Sequence, residues 1–189
     1  MKENKEQVQK NTFFIMEEDV LNFWDKAKIF EKSVEKEAPK GDYVFYDGPP
    51  FATGLPHYGH IVASIIKDTV PRFWTMKGYR VERIWGWDCH GLPIENIVEK
   101  ELDSKSKKDI EEIGVEKFNG MCRSKVSEYA EDWKKYIKKL GRWVDMDNSY
   151  KTMDKNFMES VWWVFKELYN KDLIYEGYRS MHICPRCET

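Results

Sequence analysis

Two histidines flank a glycine in the segment GLPHYGH, at His57, Gly59 and His60, and a carboxylate, Asp88, stands near the start of a second segment, GWDCHGLPIE. Imidazoles three apart at a helix start project to one side of its first turn. Each can donate a hydrogen bond to a phosphoryl oxygen as charge moves onto it. The free N–H groups and positive dipole end of such a turn also favour an anion, by about 0.3 to 1 kcal/mol for the dipole alone. Gly59 has no side chain, so a nucleotide ring or ribose can approach the backbone closely. The same pair would also serve as a plain helix cap or a partly buried polar contact, and HxGH alone does not separate these readings. Asp88 can hold a substrate ammonium group by a charge-assisted hydrogen bond, cap the helix that follows, or join a turn with Gly91. Further on, Cys184 and Cys187 in ICPRCET have the spacing with which two thiolates reach one tetrahedral zinc ion. Two ligands do not close a structural site, and a redox CxxC or plain buried cysteines are the other readings.

These residues need elements to place them. DYVFYD, from Asp42 to Asp47, predicts a short β-strand stopped by Gly48, Pro49 and Pro50. A loop to Pro56 follows, then a helix from His57 to Lys77 with Ile61, Ile65 and Ile66 on one face, a possible kink at Pro71, and Gly78 as its stop. Tyr79 to Trp87 predicts a second strand parallel to the first. In that unit GLPHYGH and Asp88 both fall at the C-terminal edge of the sheet, where open α/β folds bind ligands. A helix from Glu17 to about Glu31 precedes the unit. After Pro93 the pattern is mainly helical, with Val126, Ala130, Trp133, Ile137 and Leu140 on one stripe ended at Gly141. A last helix, with Asp154 as N-cap, is expected to carry Met158, Val161, Trp162, Phe165 and Leu168 inward, which makes Trp162 and Trp163 core residues. One more strand is expected around Arg179 to Ile183.

Composition narrows the function classes. With 189 residues, 41% of them hydrophobic and 15% aromatic, the chain can bury a core, so its 34% charged residues describe a solvated surface. Thirty-three acidic against 31 basic residues give a net charge of -2, which removes any whole-chain argument for nucleic-acid binding by bulk charge. The basic run from Lys134 to Arg142 could touch nucleic-acid phosphates from the outer face of its helix, but reads first as a solvated face. The N-terminal stretch lacks the apolar segment of a signal peptide, and nothing later approaches bilayer length, so the expected location is cytoplasmic, without membrane contact. Cys89 and Cys122 read as small core residues.

DGPPFATGLPHYGH and GWDCHGLPIE, in that order, resemble the two signatures of the class I aminoacyl-tRNA synthetases, and within them the isoleucyl-tRNA synthetases. KDTVPRFWTMKGYRV, FNGMCRSKV, ESVWWVFKELY and CPRCET extend the likeness over nearly all of the chain beyond its first few dozen residues. The valyl family resembles GxDHAGIATQ at the second signature and the leucyl family GWDAFGLPAE, so HGLPIE favours isoleucine. Tyr58 departs from the aliphatic residue common inside the first signature, which bears on packing rather than chemistry.

The resemblance implies an α/β fold, the first half of a Rossmann-like nucleotide-binding domain with parallel strands and helical segments at both ends. Residues 1–40 would form a helical extension, 41–180 the half-domain, and 181–189 the start of a zinc-binding and editing junction. It implies that His57 and His60 act in catalysis by holding ATP phosphates, with Gly59 in the ATP site. Gly48 and Pro49 would line the amino-acid pocket, and Asp88 would bind the α-amino group. Substrates would be isoleucine, ATP with Mg²⁺, and tRNA(Ile). No KMSKS motif, editing insertion or anticodon-binding domain occurs in the sequence. The expected partner is therefore the missing C-terminal part of the same polypeptide, without which isoleucine activation should be weak or absent. The family's second cysteine pair would complete a zinc site of which Cys184 and Cys187 are half. A small nucleotidyltransferase and a noncatalytic binding module are the rival readings.

Overall fold

In the computed structural model, which describes residues 12–51, 53–103 and 107–185, the ladder among those residues joins β1 (Ile84–Trp87) to β2 (Asp145–Lys151) in parallel. In chain order the helices are α1 (Thr12–Ala27), α2 (Ile29–Glu35), α3 (Tyr58–Met76), α4 (Leu92–Glu101), α5 (Lys107–Ile113), α6 (Val115–Glu128), α7 (Ala130–Lys139) and α8 (Lys155–Asn170). The chain divides into two compact units, Met1–Thr152 and Met153–Thr189.

The expected first strand is extended and parallel to the approach to β1, but it forms no ladder. It touches at one isolated bridge, Asp42 with Arg80, and a second, Phe51 with Asp88, lies beyond the prolines that follow it. Between them side chains replace the ladder. Tyr150 donates its hydroxyl to the Asp47 carbonyl at 3.1 Å and Lys67 donates to the Gly48 carbonyl at 2.7 Å, while Pro49 and Pro50 have no N–H to offer. The second strand is likewise shorter than expected, beginning at Ile84 rather than Tyr79.

β2 is a strand that periodicity does not announce. DMDNSYK carries no apolar alternation. It forms because β1 is almost fully buried and needs a partner. Its start is fixed by Asp145, whose carboxylate accepts the Asp147 and Asn148 N–H groups at 3.0 and 2.9 Å. A bulge between Ile84 and Gly86 brings Gly86 opposite Tyr150. A Cβ at Gly86 would overlap the Tyr150 ring.

The core gathers Trp85, Trp87 and Trp133, whose rings meet edge to face or tilted, with Val81, Ile94, Val98, Phe118, Val126 and Ile137. α3 buries Ser64, Pro71 and Thr75. The isoleucines of its expected face lie mostly outside: Ile61 is half-buried, while Ile65 and Ile66 are 51% and 60% exposed. A polar stripe thus faces inward, satisfied by Arg83, which donates to Thr75 Oγ1 at 2.5 Å and Ser33 Oγ at 3.1 Å. Burial pushes the Arg83 guanidinium down to about 10. The helix runs through Pro71 and ends where expected. Gly78 adopts φ 93 and the N–H groups of Gly78 and Tyr79 return to Thr75 and Trp74.

The stripe expected from Val126 to Leu140 is split at Tyr129 between α6 and α7. Val126, Trp133 and Ile137 are buried on it, and Leu140 is exposed at the cap. Gly141 repeats the Gly78 cap, with φ 77 and the Gly141 and Arg142 N–H groups returning to Lys138 and Ile137. That turn sends Arg142 into the core. It is 8% exposed, against the solvated-face reading of the run that contains it.

In the second unit α8 starts after Asp154 as expected but buries nothing. Met158 is half-buried; Val161, Trp162, Phe165 and Leu168 are exposed, as is Trp163, so neither the inward face nor the core reading of the tryptophan pair holds. Residues 174–184 form no strand, including 179–183 where one was expected. The reason is local: the described residues of this unit hold one helix and no sheet with which to cover that face.

Gly86→Ala is expected to lower the thermal midpoint by the equivalent of about 1 to 3 kcal/mol, the usual cost of overpacking. Unfolding followed by circular dichroism reads this directly; an unchanged midpoint would contradict the Gly86–Tyr150 contact.

Candidate nucleotide and amino-acid site

His57 is the N-cap of α3, with extended backbone at φ -111 and ψ 174. Its Nδ1 accepts the Gly59 N–H at 3.1 Å, and His60 Nδ1 accepts the His57 N–H at 3.2 Å, a capping box made of two imidazoles. The rings stack at 3.8 Å between centroids and 29° between planes. The two side chains therefore lie on one side of the turn, as the spacing predicts. With Nδ1 accepting on both rings, each neutral imidazole carries its proton on Nε2 and keeps that N–H as a donor.

The cap changes two expectations. Gly59 N–H is spent on His57, and the His60 and Ile61 N–H groups return to the His57 carbonyl at 2.9 and 3.1 Å. Donor capacity at this turn thus resides in the rings more than in free backbone groups. Gly59, for its part, gives the cap room, since a Cβ there would crowd the His57 ring at 3.0 Å from Cε1 and 3.1 Å from Nδ1.

His60 is half-buried with its ring edge-to-face on Trp133, 4.9 Å away. Burial, then the charges of His57 and Lys67, lower its pKa below the ordinary 6.5. Trp133, 1% exposed, donates its indole N–H to the Gly54 carbonyl at 2.7 Å and meets Trp87 at 5.9 Å. It thereby joins the loop before α3, the second imidazole and the strand that leads to Asp88. Asp88 N–H binds the Pro50 carbonyl at 2.9 Å, which sets Asp88 beside the Gly48–Pro49 turn. It does not cap α4, whose N-cap is Gly91. Tyr150 has its hydroxyl pKa raised by burial and then by the charges of Asp47 and Asp88, so all three share one neighbourhood.

Sequence reasoning overlooked the group that holds this neighbourhood together. Asp47, with a side chain 5% exposed, pairs through Oδ2 with buried Arg142 and through Oδ1 with Lys67 at 2.6 Å. The Lys67 contact is one of charge, short of the angle of a directed hydrogen bond. Arg142 also reaches Ser64 Oγ at 3.4 Å and lies over the Trp85 ring at 4.9 Å. A signal for Lys67 was present: His57, His60, Ser64 and Lys67 recur at helical spacing, a polar stripe beside the apolar one.

Cys89 is buried, its N–H bound to Thr152 Oγ1 at 2.9 Å, in keeping with a small core residue. Cys122 is half-buried, and burial followed by the Glu95 charge raises its pKa. Cys184 is exposed and Cys187 lies outside the described residues. Among the described residues no three or more His, Cys, Asp or Glu converge on a common metal position.

Residues 19–189 match the family described as tRNA synthetases class I (I, L, M and V). The isoleucine–tRNA ligase of Treponema denticola is 58% identical over 177 residues, covering 94% of this chain and 16% of that protein. The isoleucine–tRNA ligase 2 of Pseudomonas fluorescens is 56% identical over the same share of this chain and 17% of its own. The chain thus spans about a sixth of the length of these curated relatives. Among solved structures, the Agrobacterium radiobacter K84 LeuRS in its ternary complex with tRNA and LeuAMS aligns with a TM-score of 0.56 and 23% identity, over 84% of this chain and 18% of that one. That likeness is one of fold.

Protonation of His60 would cost it the acceptor that caps His57. The folded-state pKa lies below the ordinary value, so the stability this residue contributes is present above about pH 6.5 and lost as pH falls through the lower folded value. Histidine Cε1–H titration by NMR is expected to give His60 a midpoint below 6.5, and Trp133→Ala should move it back towards that value. A midpoint at or above it would contradict the described packing.

Proposed function

The chain belongs to the class I tRNA synthetases of the isoleucine, leucine, methionine and valine group, and we propose from that premise that it supplies the ATP and amino-acid contacts of an isoleucine–tRNA ligase. The reaction is attack of the isoleucine carboxylate on the α-phosphorus of ATP, with pyrophosphate leaving, followed by transfer of the aminoacyl group to tRNA(Ile). Positioning and stabilisation of phosphoryl charge suffice for such a displacement, with Mg²⁺ sharing the charge on the phosphates.

The observation that carries this reading is the imidazole capping box. It presets both rings as Nε2 donors without a proton transfer, which suits groups that must meet negative charge as it develops. Asp88 takes the ammonium of the amino acid, and Gly48 and Pro49 line its pocket. Their support is the hydrogen bond from the Asp88 N–H to the Pro50 carbonyl, which holds the Asp88 backbone beside the segment that carries Gly48 and Pro49. Isoleucine rather than leucine, methionine or valine is proposed from HGLPIE and from the names of the relatives. Cys184 and Cys187 would contribute two thiolates to a zinc site of the complete protein, and the location proposed is the cytoplasm.

The test is a graft in which this chain replaces the matching segment of the Treponema denticola enzyme. It should support isoleucine-dependent ATP–pyrophosphate exchange, and His60→Ala should lower kcat by about 100-fold or more, as loss of a transition-state donor does. Asp88→Asn should raise the KM for isoleucine. Exchange indifferent to isoleucine, or full activity in His60→Ala, would refute the reading; the 189-residue chain alone is expected to show little or none.

A further inference from the structure

We propose that Lys67 is a positioning residue that sets Gly48, a wall of the proposed amino-acid pocket, in register with the two imidazoles carried by the same helix. The inference rests on the reading above, in which Gly48 faces the amino acid and His57 and His60 face ATP. Its physical basis is how the 44–50 segment is held. Between the bridges at Asp42 and Phe51 no ladder fixes this backbone, yet it must keep one position if a small substrate is to be aligned against it. Lys67 supplies the constraint from α3. Its ammonium donates to the Gly48 carbonyl at 2.7 Å and sits 2.6 Å from Asp47 Oδ1, so one cation grips two consecutive residues. Arg142 holds the other carboxylate oxygen, and Tyr150 the Asp47 carbonyl.

Lys67 follows His60 by seven residues on the inward stripe of α3, about 10 Å along its axis. A helix is stiff over two turns. The distance between pocket wall and phosphate donors is thus fixed by a single element rather than by a loop. Arg142 and Tyr150 hold the same segment from elsewhere in the fold, so loss of Lys67 leaves the fold supported while freeing Gly48.

In the 189-residue chain, Lys67→Met is expected to shift the Gly48 amide resonance while resonances of α6 and α7 stay in place. In the grafted enzyme the same change should raise the KM for isoleucine by about tenfold or more, the scale of a lost charge-assisted hydrogen bond, with the KM for ATP within about twofold. Lys67→Arg, which restores a cationic donor, should recover most of that loss. An unmoved Gly48 resonance overturns the proposal, as does an equal rise in both KM values or a fall in kcat alone. Should Lys67→Met fail to fold, Lys67→Gln takes its place under the same criteria. A wild-type graft without isoleucine-dependent exchange would instead count against the underlying functional reading, and the resonance of Gly48 would still decide whether Lys67 positions it.

Discussion

The first unit is organised around a carboxylate that is almost out of water and carries two cations. A carboxylate at 5% exposure needs charged partners, and Arg142 and Lys67 provide them from two separate elements that both follow Asp47 in the chain. Each cation brings a structural element with it. Arg142 arrives through the left-handed turn at Gly141 that ends α7, and Lys67 from the middle of α3. The segment that leads from Asp47 into the prolines is thereby tied to two helices it does not pair with by backbone. A ladder would have fixed it to β1 and flattened it against the sheet; side-chain ties leave it standing at the sheet edge.

A second economy appears at the start of α3. Capping by aspartate or serine would satisfy the same N–H groups, yet it would leave no ring donors at the helix mouth. Imidazole does both tasks because its two nitrogens are distinct. One accepts from the backbone and the other remains a donor. The arrangement needs Gly59 to leave room for the His57 ring and Trp133 to hold the His60 edge. Part of what looks like ligand-binding sequence is therefore needed to hold the binding residues themselves in place.

Much of this was legible in the sequence, and what was not has physical causes. The positions of the histidine pair and Asp88, the parallel sense of the extended segment, the caps at Asp154 and Gly78, and the buried stripe through Trp133 follow from local spacing. β2 escaped because DMDNSYK, with only Met146 and Tyr150 among polar residues, shows no hydrophobic period; its pairing is imposed by β1. The isoleucines of α3 misled because apolar periodicity usually marks the inner face, whereas here buried Arg83 and Arg142 make the polar stripe the inner one. Arg142 escaped for a related reason. Its neighbours Lys135, Lys138 and Lys139 are exposed, and only the change of backbone direction at Gly141 separates it from them.

The Gly86–Tyr150 fit reaches beyond this one chain. The phenol occupies the space a side chain at 86 would need, and its hydroxyl also anchors the Asp47 carbonyl. Neither position is free to drift alone: a methyl at 86 evicts the ring, and a smaller residue at 150 releases the backbone beside Gly48. Substitutions during divergence should therefore appear at both sites together or at neither, a covariation signal linking positions 64 residues apart.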